Sequence, residues 1–308
     1  MNPDLASALD ALRSGPLVSR TQFDAFIGGL TTYRVGGTAA ALVTLESSTD
    51  VDVLTHVAQT FRVPIVAIGR GSNLLVSDEG FAGLAVVLGN EFAEIQIDGG
   101  SVQAGAATKL PVVARATVNA GLAGFEWAVG VPGSVGGAVK MNAGGHGAEV
   151  CDSLVDADVL DLRSGERLVR SNAEMAFSYR HSSLAATDLV LGARFQLTPG
   201  DPGVGKAQML EIVRWRRDNQ PGGQNAGSVF TNPEGDSAGR LIDAAGLKGF
   251  RIGTAAVSDK HANFIQADPA GRAADVLAVM LEVQRRVEKT QGVILAPETH
   301  LIGFDDGD

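Results

Sequence analysis

A single cysteine, Cys151, in 308 residues rules out an intrachain disulfide and leaves no basis for a thiolate metal cage. The five histidines (His56, His146, His181, His261 and His300) show no helical metal-ligand spacing. With no HExxH or CxxC motif either, no metal site is expected. Basic residues are scarce: 25 Lys and Arg against 35 Asp and Glu leave a net charge of −10. Nothing is left over to neutralise nucleic-acid phosphates. No apolar run approaches the roughly 20 residues that span a bilayer. The N-terminal stretch MNPDLASALDALRSG carries Asp4 and Asp10 and has no basic segment before an apolar one, unlike a signal peptide. A cytoplasmic globular protein is expected, without nucleic-acid binding or membrane insertion. Cys151 is expected as a small buried apolar side chain.

The composition, 45% hydrophobic and 19% charged, suits one large or two medium domains. Apolar spacing predicts a helix over 49–61, capped by Ser48 or Thr49, then a strand over 63–68. A second helix is predicted over 108–120, with Pro111 in its first turn and Gly121 just past its end. Hairpins are predicted around Asp98-Gly99-Gly100 and Ser164-Gly165, and a strand over 189–197. The run Thr198-Pro199-Gly200-Asp201-Pro202-Gly203 reads as a linker. Beyond it, helices are predicted over 206–218, 237–245 and 275–290, with strands over 254–257 and 262–265. The chain is therefore divided into a first domain, 1–198, and a smaller α+β domain, 199–308. The segment 294–304 is expected to return towards the first domain.

What the chain has in abundance is glycine, and nine fall within the 27 residues from Gly121 to Gly147. Phe125, Glu126, Trp127, Val131, Val135, Val139 and Met141 are interleaved, so the run is a packed segment rather than low complexity. Glycine lets backbone N–H groups approach a ligand closely, which suggests a large anionic cofactor lying against main chain. A set of β-turns in a glycine-rich protein remains the alternative. Gly69-Arg70-Gly71-Ser72-Asn73 follows a predicted strand, as a dinucleotide turn does. Leu74 stands where a third glycine is needed, and Leu74-Leu75-Val76 continues as strand rather than helix. A Rossmann domain is thereby disfavoured, although a strand–turn–strand can still cradle a pyrophosphate. Gly200 to Lys206 imitates a P-loop, but Ala207 cannot supply the magnesium-binding hydroxyl.

These motifs occur in fixed order with TTYRVGG, FSYRHSSL, QPGGQNAGSVFTNP, AGRLIDAAGLKG, VSDKHANFI and PETHLIGF, from about Leu30 to Gly303. The chain resembles the UDP-N-acetylmuramate dehydrogenases, also called UDP-N-acetylenolpyruvoylglucosamine reductases, which are flavoenzymes of peptidoglycan synthesis. The compact GSVF form and the lack of a tyrosine-bearing insertion after Arg180 are similar to the shorter subtype. The resemblance implies an α+β fold: a two-part FAD-binding region of the vanillyl-alcohol-oxidase (PCMH) type and a smaller substrate-binding domain. It implies non-covalent FAD, NADPH as hydride donor, and UDP-N-acetylglucosamine enolpyruvate as substrate. FAD would be held by Gly69, Arg70, Gly71, Ser72 and Asn73, and by Gly133, Ser134, Gly136, Gly137, Asn142, Gly145 and Gly147. Thr231, Asn219 and His300 depart from the family's frequent lysine, lysine and arginine. Arg216 or Arg217 could replace that charge at the substrate diphosphate.

The implied reaction reduces an enolpyruvyl ether to a lactyl ether. Charge develops beside the substrate carboxylate, so a cation and a proton donor are required. Arg180 fits the cation, since guanidinium grips a carboxylate bidentately; without the resemblance it reads as a surface arginine. Ser228, beside Gly227, fits the proton donor, and is otherwise a turn residue. Glu298 would assist the developing enol, the bland alternative being an exposed strand glutamate. Tyr179 and Asn232 are expected substrate contacts, although Asn-Pro is also a turn signal. His261 and Lys260 could face the nucleotide without being catalytic. A flavin oxidase tethering its cofactor through His146 is one rival reading; a nucleotide-sugar-binding regulator without turnover is another. Denaturation separates the first, by whether yellow colour stays with the polypeptide. Substrate-dependent NADPH consumption separates the second.

Overall fold

The computed structural model describes residues 3–304. The chain divides into two compact units: Met1–Phe23, Ala40–Arg70 and Ala82–Arg216 form the first, and Asp24–Ala39, Gly71–Phe81 and Arg217–Asp308 the second. This division is not linear. Residues 199–216 group with the first unit, and two early segments are drawn into the second.

The first unit holds two cores. In one, strands Thr21–Ala25, Ala39–Leu45, Phe81–Leu88 and Ile65–Ala67 form a four-stranded sheet in that order. Ala41, Val43 and Leu45 are buried at a period of two. They pack with Leu9, Leu12, Leu54 and Leu84 from two helices and a neighbouring strand. Helix Ser48–Phe61 is capped one residue earlier than expected, by Ser47. Its hydroxyl accepts from the Asp50 N–H at 3.1 Å while the Asp50 carboxylate accepts from Ser47, a capping box.

In the other core, an antiparallel sheet runs in the order Arg167–Ser171, Leu154–Asp161, Asp188–Gln196, Ser101–Gly105, Ile95–Asp98. Both expected hairpins are present, with Ile97 opposite Val102 and Val159 opposite Leu168. Helix Leu110–Asn119 carries Pro in its first turn and is followed by Gly121 at φ +76°. The expected linker is not one. Thr198–Pro199 pairs with Leu122–Ala123, and a helix begins at Pro202, not near 206. The Asp201 carboxylate accepts from the Gly203 and Val204 N–H groups, so proline and aspartate here start a helix.

The second unit is built on Tyr33, Val229, Phe230, Leu241, Val257, Val276, Met280 and Val283. A sheet of Arg251–Ile252, Ala255–Val257 and Ile265–Ala267 packs on helix Ala273–Gln291. The strand expected at 262–265 lies later because residues 261–264 turn, with Phe264 N–H donating to the His261 carbonyl. Helix Ala273–Gln291 ends at Gly292 in the left-handed region, φ +69°. Its N-terminus has no cap of its own. The Asp78 carboxylate, 195 residues earlier, accepts from the Ala273 and Ala274 N–H groups at 2.9 and 3.0 Å. Strand His300–Ile302 pairs in parallel with Leu74–Val76. The C-terminal stretch thus does return to the first 198 residues, but to a segment belonging to the second unit. No helix among the described residues is long and apolar enough to cross a membrane.

Candidate active site

The turn 69–73 passes from one unit to the other between Arg70 and Gly71. In the first unit, Gly69 lies against Ser134: a Cβ there would come within 2.4 Å of its hydroxyl. The two glycine motifs therefore adjoin. Ser134 is the N-cap of the short helix Val135–Lys140, its Oγ facing the Gly137 N–H. In the second unit Gly71, at φ +60°, packs on Leu30 and Thr31, and its carbonyl accepts from the Thr32 N–H. Ser72 and Asn73 follow, half-buried.

Arg180 is set against the glycine run within the first unit. Its guanidinium donates to the Gly144 carbonyl at 2.8 Å and the Asn142 carbonyl at 3.4 Å, and lies 4.8 Å from the centre of the exposed Tyr179 ring. Asn142 is buried at φ +41°. Its amide is committed inside the protein: Nδ2 donates to the Ser178 carbonyl and to Glu149, and Oδ1 accepts from the Cys151 N–H. Cys151 is half-buried rather than buried as expected, and its N–H donates to Asn142 Oδ1. Burial pushes its thiol pKa up.

Arg216 is half-buried beside Gly130 and His146. Burial pushes its pKa down, with no carboxylate among the described residues to offset that. His146, whose ring meets Trp215 edge-on at 5.2 Å, has its pKa lowered by partial desolvation of the ring and then by the Arg216 charge.

Ser228, Glu298 and Asn73 are brought together in the second unit. Glu298 N–H donates to the Val229 carbonyl at 2.7 Å, one residue past Ser228. Asn73 Nδ2 donates to the Glu298 carbonyl at 2.9 Å, and the His300 N–H returns to the Asn73 carbonyl. Asn232, exposed, accepts from the Ala238 N–H at the start of helix Ala238–Ala244. His261 has its pKa lowered by burial and then by Lys248. The Lys260 ammonium donates to the Arg217 carbonyl. Sequence reasoning missed Glu149, which accepts from the Asn142 amide in the first unit, and Asn263, whose side chain bonds Phe230 in the second. The only hint was polar residues set among apolar ones, GAEV and HANFI. No group of three His, Cys, Asp or Glu among the described residues could hold a metal ion.

Comparison with known proteins adds the rest. Residues 39–170 match an FAD binding domain, and 219–302 match the C-terminal domain of UDP-N-acetylenolpyruvoylglucosamine reductase. The reductase of Synechococcus sp. (strain RCC307) is 44% identical over 91% of this chain and 93% of its own length. That of Paramagnetospirillum magneticum is 43% identical over 92% of each. The chain belongs to the UDP-N-acetylenolpyruvoylglucosamine reductase family.

As a member of that family it is a flavoprotein oxidoreductase of peptidoglycan precursor synthesis, with a vanillyl-alcohol-oxidase-type FAD domain and a family-specific C-terminal domain. At 308 residues it fits the shorter type of these reductases. The crystal structure of the reductase from Thermus caldophilus superposes with a TM-score of 0.79 at 37% identity, covering 90% of this chain and 97% of that one. The reductase needs donors for a pyrophosphate and backbone bare enough to lie against it. Within the first unit, the N–H groups of Gly69 and Arg70 donate to no other described residue, whereas those of Val135 and Gly136 are taken by the Thr108 and Ala106 carbonyls. A Cβ on Gly137 would make only ordinary contact, 3.6 Å from Ser134 Oγ, and one on Gly145 or Gly147 would meet nothing within 4 Å. Donors from one segment and bare backbone from the other fit FAD.

Proposed function

We propose that this reductase converts UDP-N-acetylglucosamine enolpyruvate to UDP-N-acetylmuramate with NADPH as hydride donor and one non-covalently held FAD. The FAD, when bound, relays hydride from NADPH to the terminal enol carbon of the substrate. The observation that carries the reading is the Glu298-to-Val229 hydrogen bond, which sets a hydroxyl and a carboxyl on neighbouring segments of one unit. Ser228 donates the proton that the substrate's carbanionic carbon requires, and Glu298 hydrogen-bonds the developing enol. Arg180 stabilises the charge spreading into the substrate carboxylate. The Asn142 and Gly144 carbonyls hold its guanidinium at the glycine run.

Gly69 to Asn73 and the segment from Gly133 to Gly147 hold the cofactor. Gly133, Ser134 and Gly136 shape its turn, Gly137, Gly145 and Gly147 lie bare towards it, and Asn142 fixes the shape of the run through its amide. Tyr179 and Asn232 contact the nucleotide sugar. Arg216, a half-buried cation, takes its diphosphate. The functional division falls at 198/199, between the FAD-domain match and the C-terminal match, which flank it. Substrate and NADPH are cytoplasmic metabolites, and the reductase is placed with them.

Ser228→Ala tests the assignment. Flavin reduction by NADPH should be unchanged, and reoxidation by the enolpyruvyl substrate should slow by roughly 10²–10⁴-fold. In deuterated solvent the wild type should place label on one face of the carbon next to the carboxylate. Wild-type reoxidation in the variant would move the donor elsewhere.

A further inference from the structure

We propose that Asn263 is a positioning residue for Ser228, fixing the proton donor through the two residues that follow it. The proposal rests on Ser228 being the donor. Asn263 is 4% exposed and spends three hydrogen bonds on this one stretch of chain. Its carbonyl accepts from the Val229 N–H at 2.9 Å, locking the peptide that joins Ser228 to Val229. Its Oδ1 accepts from the Phe230 N–H at 3.0 Å, and its Nδ2 donates to the Phe230 carbonyl at 2.8 Å. The side chain thus imitates one rung of a β-ladder. Val229 and Phe230 are 0% and 1% exposed, so water cannot take over these bonds.

On the opposite side the Val229 carbonyl is held by the Glu298 N–H, and the Thr231 N–H by the Ala296 carbonyl. Those bonds run backbone to backbone and are indifferent to residue type. On the Asn263 side the bond from the Val229 N–H is of that kind too, but the two bonds to Phe230 are not, because one short side chain must offer a donor and an acceptor to the same residue. Before Ser228 the hold is short-range: the Gly227 N–H donates to Asn225 Oδ1 at 3.1 Å, two residues back, with Gly227 at φ +78°. The long-range hold on Ser228 comes from its C-terminal side, and Asn263 is the side-chain part of it. A displacement near 1 Å suffices to cost a proton transfer on the order of 10²-fold.

Stopped-flow absorbance on the FAD-loaded protein tests this with Asn263→Ala, Asn263→Asp, Asn263→Ser, Ser228→Ala and the Ser228→Ala/Asn263→Ala double variant. Asn263→Asp keeps the acceptor for the Phe230 N–H but turns a second, charged oxygen on the Phe230 carbonyl, so Asn263→Ser, which adds no charge, carries the test if neither of the other Asn263 variants folds. In each Asn263 variant, reoxidation by the enolpyruvyl substrate should slow roughly 10- to 100-fold, with the half-saturating substrate concentration and flavin reduction by NADPH nearly unchanged. In the Ser228→Ala background the second change should add less than about twofold, since both act through one hydroxyl. In deuterated solvent the Asn263 variants should place label on both faces of the product carbon. Wild-type reoxidation in the Asn263 variants, or an effect that multiplies undiminished onto Ser228→Ala, overturns the proposal. Should Ser228→Ala itself reoxidise at the wild-type rate, the donor assignment fails and takes this proposal with it, a result distinct from a slow Ser228 variant beside a fast Asn263 one.

Discussion

Gly137→Ala should stabilise the apoprotein and weaken FAD binding, two effects of opposite sign from one methyl group. Gly137 lies inside helix Val135–Lys140 and has no positive φ. The new Cβ would sit 3.6 Å from Ser134 Oγ, an ordinary contact. Replacing glycine at a helical position without strain gains about 0.5–1 kcal/mol, because the unfolded chain loses freedom. The same methyl would intrude where backbone meets cofactor, and overpacking of that kind costs about 1–3 kcal/mol. That is roughly a 5- to 150-fold rise in the dissociation constant. Thermal melting of flavin-free protein measures the first effect, and titration of FAD fluorescence the second. Gly71→Ala is the contrast. Its Cβ would lie 2.3 Å from the Leu30 carbonyl oxygen at φ +60°, so the apoprotein itself should be destabilised. A Gly137→Ala protein that binds FAD as tightly as wild type would refute the close approach. One whose apo form melts lower would refute the helix argument.

Arg180→Ala should cut substrate reduction severely while NADPH-driven bleaching of the flavin survives, and equal loss in both halves, read by stopped flow, would indicate a structural part instead. Asp78→Ala orphans the first two N–H groups of helix Ala273–Gln291; a loss of about 1–2 kcal/mol is expected in a denaturant melt, and an unchanged midpoint would contradict the cap. Hydrogen bonds from Arg285 and then Arg286 hold the Glu282 carboxyl down at about 2, against the usual 4.5. A depressed carboxylate stabilises the fold above its unfolded pKa and loses that contribution as pH falls through the folded value. Melting temperature should therefore drop between about pH 4.5 and pH 2, and slightly less steeply in Glu282→Gln, since exposed pairs contribute little; identical slopes would deny the pair any part.

Locally paid-for structure was legible in the sequence. The Asp98-Gly99-Gly100 hairpin, Gly121 and Gly292 after their helices, and the buried stripe Val276, Met280, Val283 and Val287 all follow from one short stretch each. Residues whose meaning comes from a distant partner were not legible. The run from Thr198 to Gly203 has the composition of a linker, yet Leu122–Ala123 turns its start into a strand and Asp201 its end into a cap. Asn142 looks like a free polar ligand in a glycine run, and only the fold shows its amide engaged with Ser178, Glu149 and Cys151. The candidate residues Arg180, Ser228 and Glu298 came from motif order rather than from local physics. Asn263 went unnoticed because a buried asparagine leaves no periodic trace.

The parallel pairing of Leu74–Val76 with His300–Ile302 also sets an order of events during synthesis. Strand Leu74–Val76 emerges early from the ribosome and must wait for more than two hundred further residues before its partner is made. Asp78 waits almost as long for the helix it caps. The early segments of the second unit cannot be completed as they appear, and a chain cut short before residue 300 leaves their edge open. Nor is 217–308 a free-standing module: expressed alone it lacks a strand, a helix cap and the buried Tyr33. The unit that carries Ser228 therefore closes only once nearly the whole chain has been made.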